Sequence, residues 1–400
     1  MSDQPSVDGT VAPGFEGVRD AFRGNFADRL DVGAAVAICQ HGEPVVDRWG
    51  GFADPTSKRP WKRGTTTLVY SATKGVTSTL LQMLAEENAI DLDRPVAEYW
   101  PEFGDNGKER ITVKTLISHR AGLPALEEKL SRQQLLEPHA AARALARQKP
   151  LWEPGTAHGY HALTFGWLVG EIVWRATGRT VSDLVAQRIA KPLGLEFWIG
   201  VPGVEEVDYA PIIDGVRIPG EIDTVTDAEL KARLLQIRSE ATNPDSLFSR
   251  ALTSNGALPT PDAATWNDEL VLRAEQAGAN GVTNARSLAK MYAACLASVG
   301  GVRLLSDAAV QAASVEQAYG SDRVLLGQSR FGVGYALHHA GAPLLGPRSF
   351  GHAGVGGAIG FADPQFGISF AYTPNQLNGS ALGDRRLTSL IQALRKAINA

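Results

Sequence analysis

The sequence predicts an α/β plus all-α protein. An antiparallel sheet flanked by helices is formed from both chain ends, and a mostly helical domain is inserted between them. Three observations predict it. Short β-leaning apolar runs occupy residues 33–51 and 331–373, near opposite ends of the chain. Helical periodicities fill the span between them. The chain has 400 residues, 44% hydrophobic and 20% charged, which suits a folded protein of two or three domains or one large domain with an insertion. The expected boundaries place residues 1–70 and 325–400 in a discontinuous sheet domain and 71–324 in the helical one.

Each element has a local reason. Phe15, Val18, Phe22, Phe26 and Leu30 recur every three to four positions, so 14–29 reads as an amphipathic helix. Residues 33–39 are apolar, Gln40-His41-Gly42-Glu43 supplies a turn, and 44–51 continue as the second strand of a hairpin. A polar loop follows over 54–67. Over 72–87, Val76, Leu80, Met83 and Leu84 share one helical face. The run 113–119 is short and apolar, and Gly122-Leu123-Pro124 stops it. Further helices are expected over 133–148, 162–177 (ended by Gly178), 181–189 and 285–298. The stretch 200–280 is irregular, with one helix near 227–239; an insertion of that length usually decorates or covers a site. Strands return at 331–338, 357–363 and 367–373, rich in Phe, Tyr, Val and Ile, and a helix over 385–398 closes the chain.

Composition removes several function classes. The net charge of −4 provides no basic field for nucleic acid. No run approaches 18 apolar residues, so no membrane helix is expected. Met1-Ser2-Asp3-Gln4-Pro5 lacks a basic region followed by an apolar one, which points to a cytoplasmic protein. Cys39 and Cys295 each sit in apolar surroundings and read as buried free thiols. No Cys/His spacing fits zinc, and no phosphate loop or Gly-x-Gly-x-x-Gly opens a helix, so no metal or cofactor is expected. A Gly-x-Ser-x-Gly elbow is absent too: Gly327-Gln328-Ser329-Arg330-Phe331 lacks the final Gly.

What remains is Ser-x-x-Lys. Ser71-Ala72-Thr73-Lys74 follows Leu68-Val69-Tyr70 and opens a helical pattern. One turn of helix sets positions i and i+3 side by side, so the Lys74 amine would lie against the Ser71 hydroxyl and, if neutral, could take its proton. The helix N-terminus, burial or a second positive group would each favour the neutral amine. A serine in the first turn also presents its own N–H, free of intrahelical bonding, to a developing oxyanion. The alternative is a capping serine with a surface lysine. The pattern is short enough to arise by chance, and a second copy exists, Ser287-Leu288-Ala289-Lys290. Asn284 reads as the N-cap of that helix, which makes Ser287 and Lys290 an ordinary exposed helix face.

Two further stretches could complete a site. Trp152 to His161 is a turn-rich loop running into an apolar helix, and a tyrosine there, Tyr160, could point its hydroxyl into a cleft. Near Lys74 a Tyr160 phenolate would be stabilised and could serve as base or proton relay. His158 and His161 read as surface or packing histidines. Phe350-Gly351-His352-Ala353-Gly354-Val355-Gly356-Gly357 precedes a strand, and its small residues let backbone approach a ligand closely, with His352 in reach of it. The bland readings are a core tyrosine and a glycine-rich turn.

At these three places the sequence resembles the serine β-lactamase and penicillin-binding-protein superfamily, in the class C-like branch known as family VIII carboxylesterases. Ser71-Ala72-Thr73-Lys74 matches the first motif, Tyr160 the second and His352-Ala353-Gly354 the third, and the stretches 111–123 and 281–288 are similar as well. The resemblance runs from about residue 15 to 395. It implies a β-lactamase-like fold and cleavage of carboxylic esters, short-chain ones by preference. The acyl-enzyme would form on Ser71 with a Lys74/Tyr160 base. The N–H groups of Ser71 and Val355 would form the oxyanion hole, and His352, Ala353 and Gly354 would contact a small-molecule ester. The chain departs from the pattern twice. Tyr160-His161-Ala162 stands where relatives often carry Tyr-x-Asn, and His352 and Ala353 replace a lysine and a threonine. Both changes remove groups that would grip a peptide or β-lactam. A β-lactamase or DD-peptidase, an amidase or acyltransferase, and a non-catalytic binding protein are the competing readings.

Overall fold

The computed structural model describes residues 6–28 and 30–399. The N-terminal pentapeptide read above and position 29 of the first helix lie outside them. The large sheet gathers β1 (Val7–Val11), β2 (Gly33–Gln40), β3 (Glu43–Asp54) and β4 (Arg59–Pro60) from the start of the chain. From its end come β8 (Ala318–Ser321), β9 (Gln328–Phe331), β10 (Ala336–Leu337), β11 (Phe350–Ala353), β12 (Ile359–Asp363) and β13 (Ile368–Pro374). The order is β1-β3-β2-β13-β12-β11-β10-β9-β8, with β4 beside β3. The two chain ends meet where β2 pairs antiparallel with β13, from Ile368 opposite Gln40 to Pro374 opposite Ala34. The β2–β3 hairpin turns at His41 and Gly42, whose φ of 50° and 90° are the left-handed pair that a tight hairpin turn needs.

Alternation along β2 sorts the two faces. Ala34, Val36 and Ile38 pack with Phe22 and Phe26 of α1 (Glu16–Ala27) and with Leu390 and Leu394 of the terminal helix Arg385–Ile398. Ala35 and Ala37 join the other core, together with Leu288, Met291 and Tyr292 of the helix Ala285–Leu296. That helix lies against β2, β12 and β13, although 71–324 was expected to form a separate helical domain. β8 likewise joins the sheet from before residue 325.

The helical lobe is built around α2 (Ala72–Glu86), buried on nearly every side. It also holds a small antiparallel sheet that the sequence did not announce, β5 (Thr67–Leu68), β7 (Gly281–Thr283) and β6 (Phe197–Ile199), in the order β5-β7-β6. The single helix expected over 133–148 is two, Arg132–Leu136 and Ala140–Arg147, because Pro138 cannot continue the hydrogen-bond ladder and His139 turns left-handed. Both cysteines are buried and free. No helix among the described residues is long and apolar enough to cross a membrane.

Candidate active site

The chain leaves β5 and turns sharply at Tyr70, whose φ of 45° is unusual for a non-glycine residue. Packing of its ring on Trp266, centroids 5.1 Å apart, holds that turn. Ser71 then occupies the N-cap of α2 but makes no side-chain capping bond, so its hydroxyl is not spent on the helix end. One turn on, the Lys74 amine lies 3.1 Å from Ser71 Oγ and 2.7 Å from each of two carbonyls, those of Ala162 and Gly278. Lys74 is completely buried, and burial pushes its pKa well below the ordinary lysine value. Of the three causes expected for a neutral amine, burial is present, and Lys74 also lies in the first turn of α2. A neutral amine has two N–H bonds and one lone pair. In that form the two carbonyls can accept both hydrogens, which leaves the lone pair for Ser71 Oγ.

Tyr160 stands beside this pair, with Lys74 Nζ 5.0 Å from its ring centroid. Its ring is stacked between Phe331 (5.8 Å) and His352 (5.9 Å), and His119 approaches from the side at 4.9 Å. Burial raises the Tyr160 pKa, and a hydrogen bond with Ser71 only partly opposes it. Burial thus works against the phenolate suggested at Tyr160 by the sequence and favours the protonated phenol. Its backbone N–H is held by Asp322 Oδ1 at 3.1 Å, which also accepts from Val324 and Leu325. Asp322 Oδ2 accepts from Ser329, which in turn meets His158. His158 and His161 are both buried; His161 accepts the Leu123 N–H and donates to the Gly159 carbonyl.

The opposite wall is the end of β11. A Cβ on Gly354 would lie 2.1 Å from the Val69 carbonyl oxygen, so only glycine lets this strand end run against the segment before Ser71. Val355, the next residue, starts a tight turn beside that contact; neither its N–H nor that of Ser71 finds a backbone acceptor among the described residues. Ala353 is exposed, and Gly354 and Val355 are half-buried. His352 is buried: its Nδ1–H donates to the Ala353 carbonyl, and burial lowers its pKa to about 3. The third motif thus carries a neutral ring.

The rival pair behaves differently from its expected reading. Ser287 is buried, not exposed. Its hydroxyl accepts the Glu196 N–H, while Lys290 donates to the Leu193 carbonyl. The two side chains serve as ties between the helix Ala285–Leu296 and the chain around 193–196, and do not meet each other. The structure also adds what the sequence left out: the carbonyls of Ala162 and Gly278, His119 and Asp322. Gly278 comes from the stretch read as an insertion covering the site, yet it supplies part of the floor beneath Lys74.

A family model for Beta-lactamase matches residues 22–394. The chain belongs to the beta-lactamase family. Among curated relatives, this beta-lactamase family member is 36% identical to the esterase/beta-lactamase LipL of Mycobacterium tuberculosis, over 93% of this chain and 83% of that one. Among solved structures it superposes on a family VIII carboxylesterase with a TM-score of 0.85 at 35% identity, covering 98% of this chain and 100% of the other. A penicillin-binding-protein homologue from Caulobacter crescentus gives 0.84 at 32% identity, covering 98% and 100%. The β-lactamase-like fold expected from three motifs is therefore present over the whole family domain.

Proposed function

We propose that this family member is a serine hydrolase that cleaves carboxylic esters through an acyl-enzyme on Ser71. One observation carries the mechanism: two carbonyls lie 2.7 Å from the buried Lys74 amine, where they can take both hydrogens of its neutral form and leave the lone pair for Ser71 Oγ at 3.1 Å. As the Ser71 oxygen attacks the ester carbonyl, Lys74 takes its proton. The N–H groups of Ser71 and Val355 hold the oxyanion. Tyr160, hydrogen-bonded to Ser71, relays a proton to the departing alkoxide, so the alcohol leaves neutral and the acyl group stays on Ser71. Water then attacks the acyl-enzyme, gives its proton back through the same groups, and releases the carboxylic acid.

The substrate is a neutral, short-chain ester. His352 carries no charge and Ala353 no hydroxyl, so the third motif lacks the usual grip on a substrate carboxylate. That feature, with the esterases among the similar proteins, favours an ester over a β-lactam or a peptide. Likeness to a penicillin-binding-protein homologue keeps β-lactam cleavage as the second reading. A cytoplasmic location belongs to the same proposal. The test is covalent labelling with a serine-directed phosphonate followed by peptide mass spectrometry, together with turnover of p-nitrophenyl acetate and nitrocefin. Label on Ser71 and turnover of the acetate well above that of nitrocefin are expected. Label elsewhere ends the proposal, and faster nitrocefin cleavage selects the second reading.

A further inference from the structure

We propose that Gln276 is a positioning residue that locks the two carbonyls gripping Lys74 and so aims the amine at Ser71. This rests on Lys74 being the base. Gln276 is buried, and its hydrogen bonds go to neither Ser71 nor Lys74. Its side-chain amide spans the two segments that carry the gripping carbonyls: Nε2 donates to the carbonyl of Leu163, next to Ala162, at 3.3 Å, and Oε1 accepts the N–H of Gly278 at 3.4 Å. Its main chain closes the turn that presents Gly278. The Gln276 carbonyl accepts from Ala279 and Asn280, and its N–H donates to Asn280 Oδ1. The helix Thr164–Thr177 makes room for the amide, since a Cβ on Gly166 would lie 1.7 Å from Gln276 Oε1. From the other side, Thr77 of α2 donates to the Ala277 carbonyl at 2.6 Å. The amine is therefore held by a turn tied to both flanking helices, and Gln276 is the side chain with one hand on each carbonyl segment.

A leucine at 276 would fill the same space but free both segments. The carbonyl dipoles favour the charged amine more than the neutral one, so loosening them makes Lys74 harder to protonate and also misdirects its lone pair. The titratable groups around Lys74 leave the acid limb to it: His119, His161 and His352 are held neutral by burial, His161 down to about 4 and His352 to about 3, and Tyr160 is shifted upward. The experiment measures kcat and KM for p-nitrophenyl acetate from pH 4.5 to 9 in the wild type, Lys74→Ala, Gln276→Leu and Thr77→Val, with thermal melts of each. Gln276→Leu is expected to lose about 10- to 100-fold in kcat, with KM changed less than about threefold, and to move the acid limb to lower pH. Thr77→Val, a shape-conserving change, shifts the limb the same way by less and decides the matter alone if Gln276→Leu does not fold. An unmoved acid limb, or wild-type kcat in Gln276→Leu, overturns the proposal. If Lys74→Ala keeps the wild-type rate, the base assignment itself has failed and this inference falls with it.

Discussion

At the scale of single residues, the chemistry divides between a base that gives up its charge and a phenol that keeps its proton. Burial pushes the Lys74 amine towards its neutral form against the pull of two carbonyls, and burial likewise favours the protonated phenol of Tyr160. Tyr160→Phe separates relay from base. It keeps the ring stacked between Phe331 and His352 and removes only the hydroxyl. KM should change little. With ethyl esters, whose alkoxide needs a proton, kcat should fall about 10²–10³-fold. With p-nitrophenyl esters, whose leaving group needs none, the fall should be at least tenfold smaller. Equal losses on both, in steady-state kinetics, would make Tyr160 part of the attack on the carbonyl. Ser71 and Lys74 were legible in the sequence because helix geometry fixes the distance between i and i+3. The carbonyls of Ala162 and Gly278 were not, since a main-chain oxygen has no residue identity and these two lie far from Lys74 along the chain. The Ser287–Lys290 pair shows the limit of spacing: the same interval on another helix points the two side chains to different partners.

At the scale of elements, the turn from β8 to β9 is what holds the second motif in place. Asp322, buried in that turn, accepts three backbone N–H groups and one hydroxyl, and one of those N–H groups is that of Tyr160. Removing the carboxyl frees the turn and the tyrosine together. Asp322→Ala should lower stability by roughly 3 kcal/mol in urea unfolding, since several buried donors lose their acceptor. It should also reduce kcat by more than it slows the phosphonate labelling of Ser71, because the nucleophile and its base sit at the start of α2, away from this turn. A variant with wild-type kcat would show that Tyr160 is held by its ring stack alone. Elements that carry their own signal were legible: the terminal helix occupies Arg385–Ile398 as its periodicity indicated, and the β2–β3 hairpin turns at the expected four residues. β1, β8 and β5-β7-β6 were not. They are short and lack a periodicity of their own, and they become strands only because a partner edge from a distant part of the chain completes their hydrogen bonds.

At the scale of the whole molecule, the site lies where the sheet, the helix α2 and the loops of the lobe converge, and that junction is crowded with buried histidines. His119, His161 and His352 all have pKa values lowered mainly by burial, His161 to about 4 and His352 to about 3. In the unfolded chain each returns to about 6.5. Between those limits the unfolded state binds protons that the folded state refuses. The stability these groups permit is therefore complete above pH 6.5 and is lost as pH falls towards 4 for His161 and towards 3 for His352. Each lowers stability by about 1.4 kcal/mol per pH unit, or roughly 2 kcal/mol at pH 5. Asp31 opposes them: burial raises its carboxyl to about 6, so it steadies the fold as pH drops below that. Glu275, also raised by burial, acts with Asp31, while His158, His338 and His339 are lowered by burial and add to the loss, so the histidines leave a net loss. The melting temperature should fall clearly between pH 7 and pH 5. In His352→Gln, which keeps a polar side chain of similar reach without a titrating ring, the fall should be smaller by about one histidine's share. Calorimetric melts of both proteins at half-unit pH steps measure it. Parallel curves for the two would mean that His352 takes up its proton in the folded state near its ordinary pKa, and the site would then carry a positive charge in the position here described as neutral, restoring the grip on a substrate carboxylate.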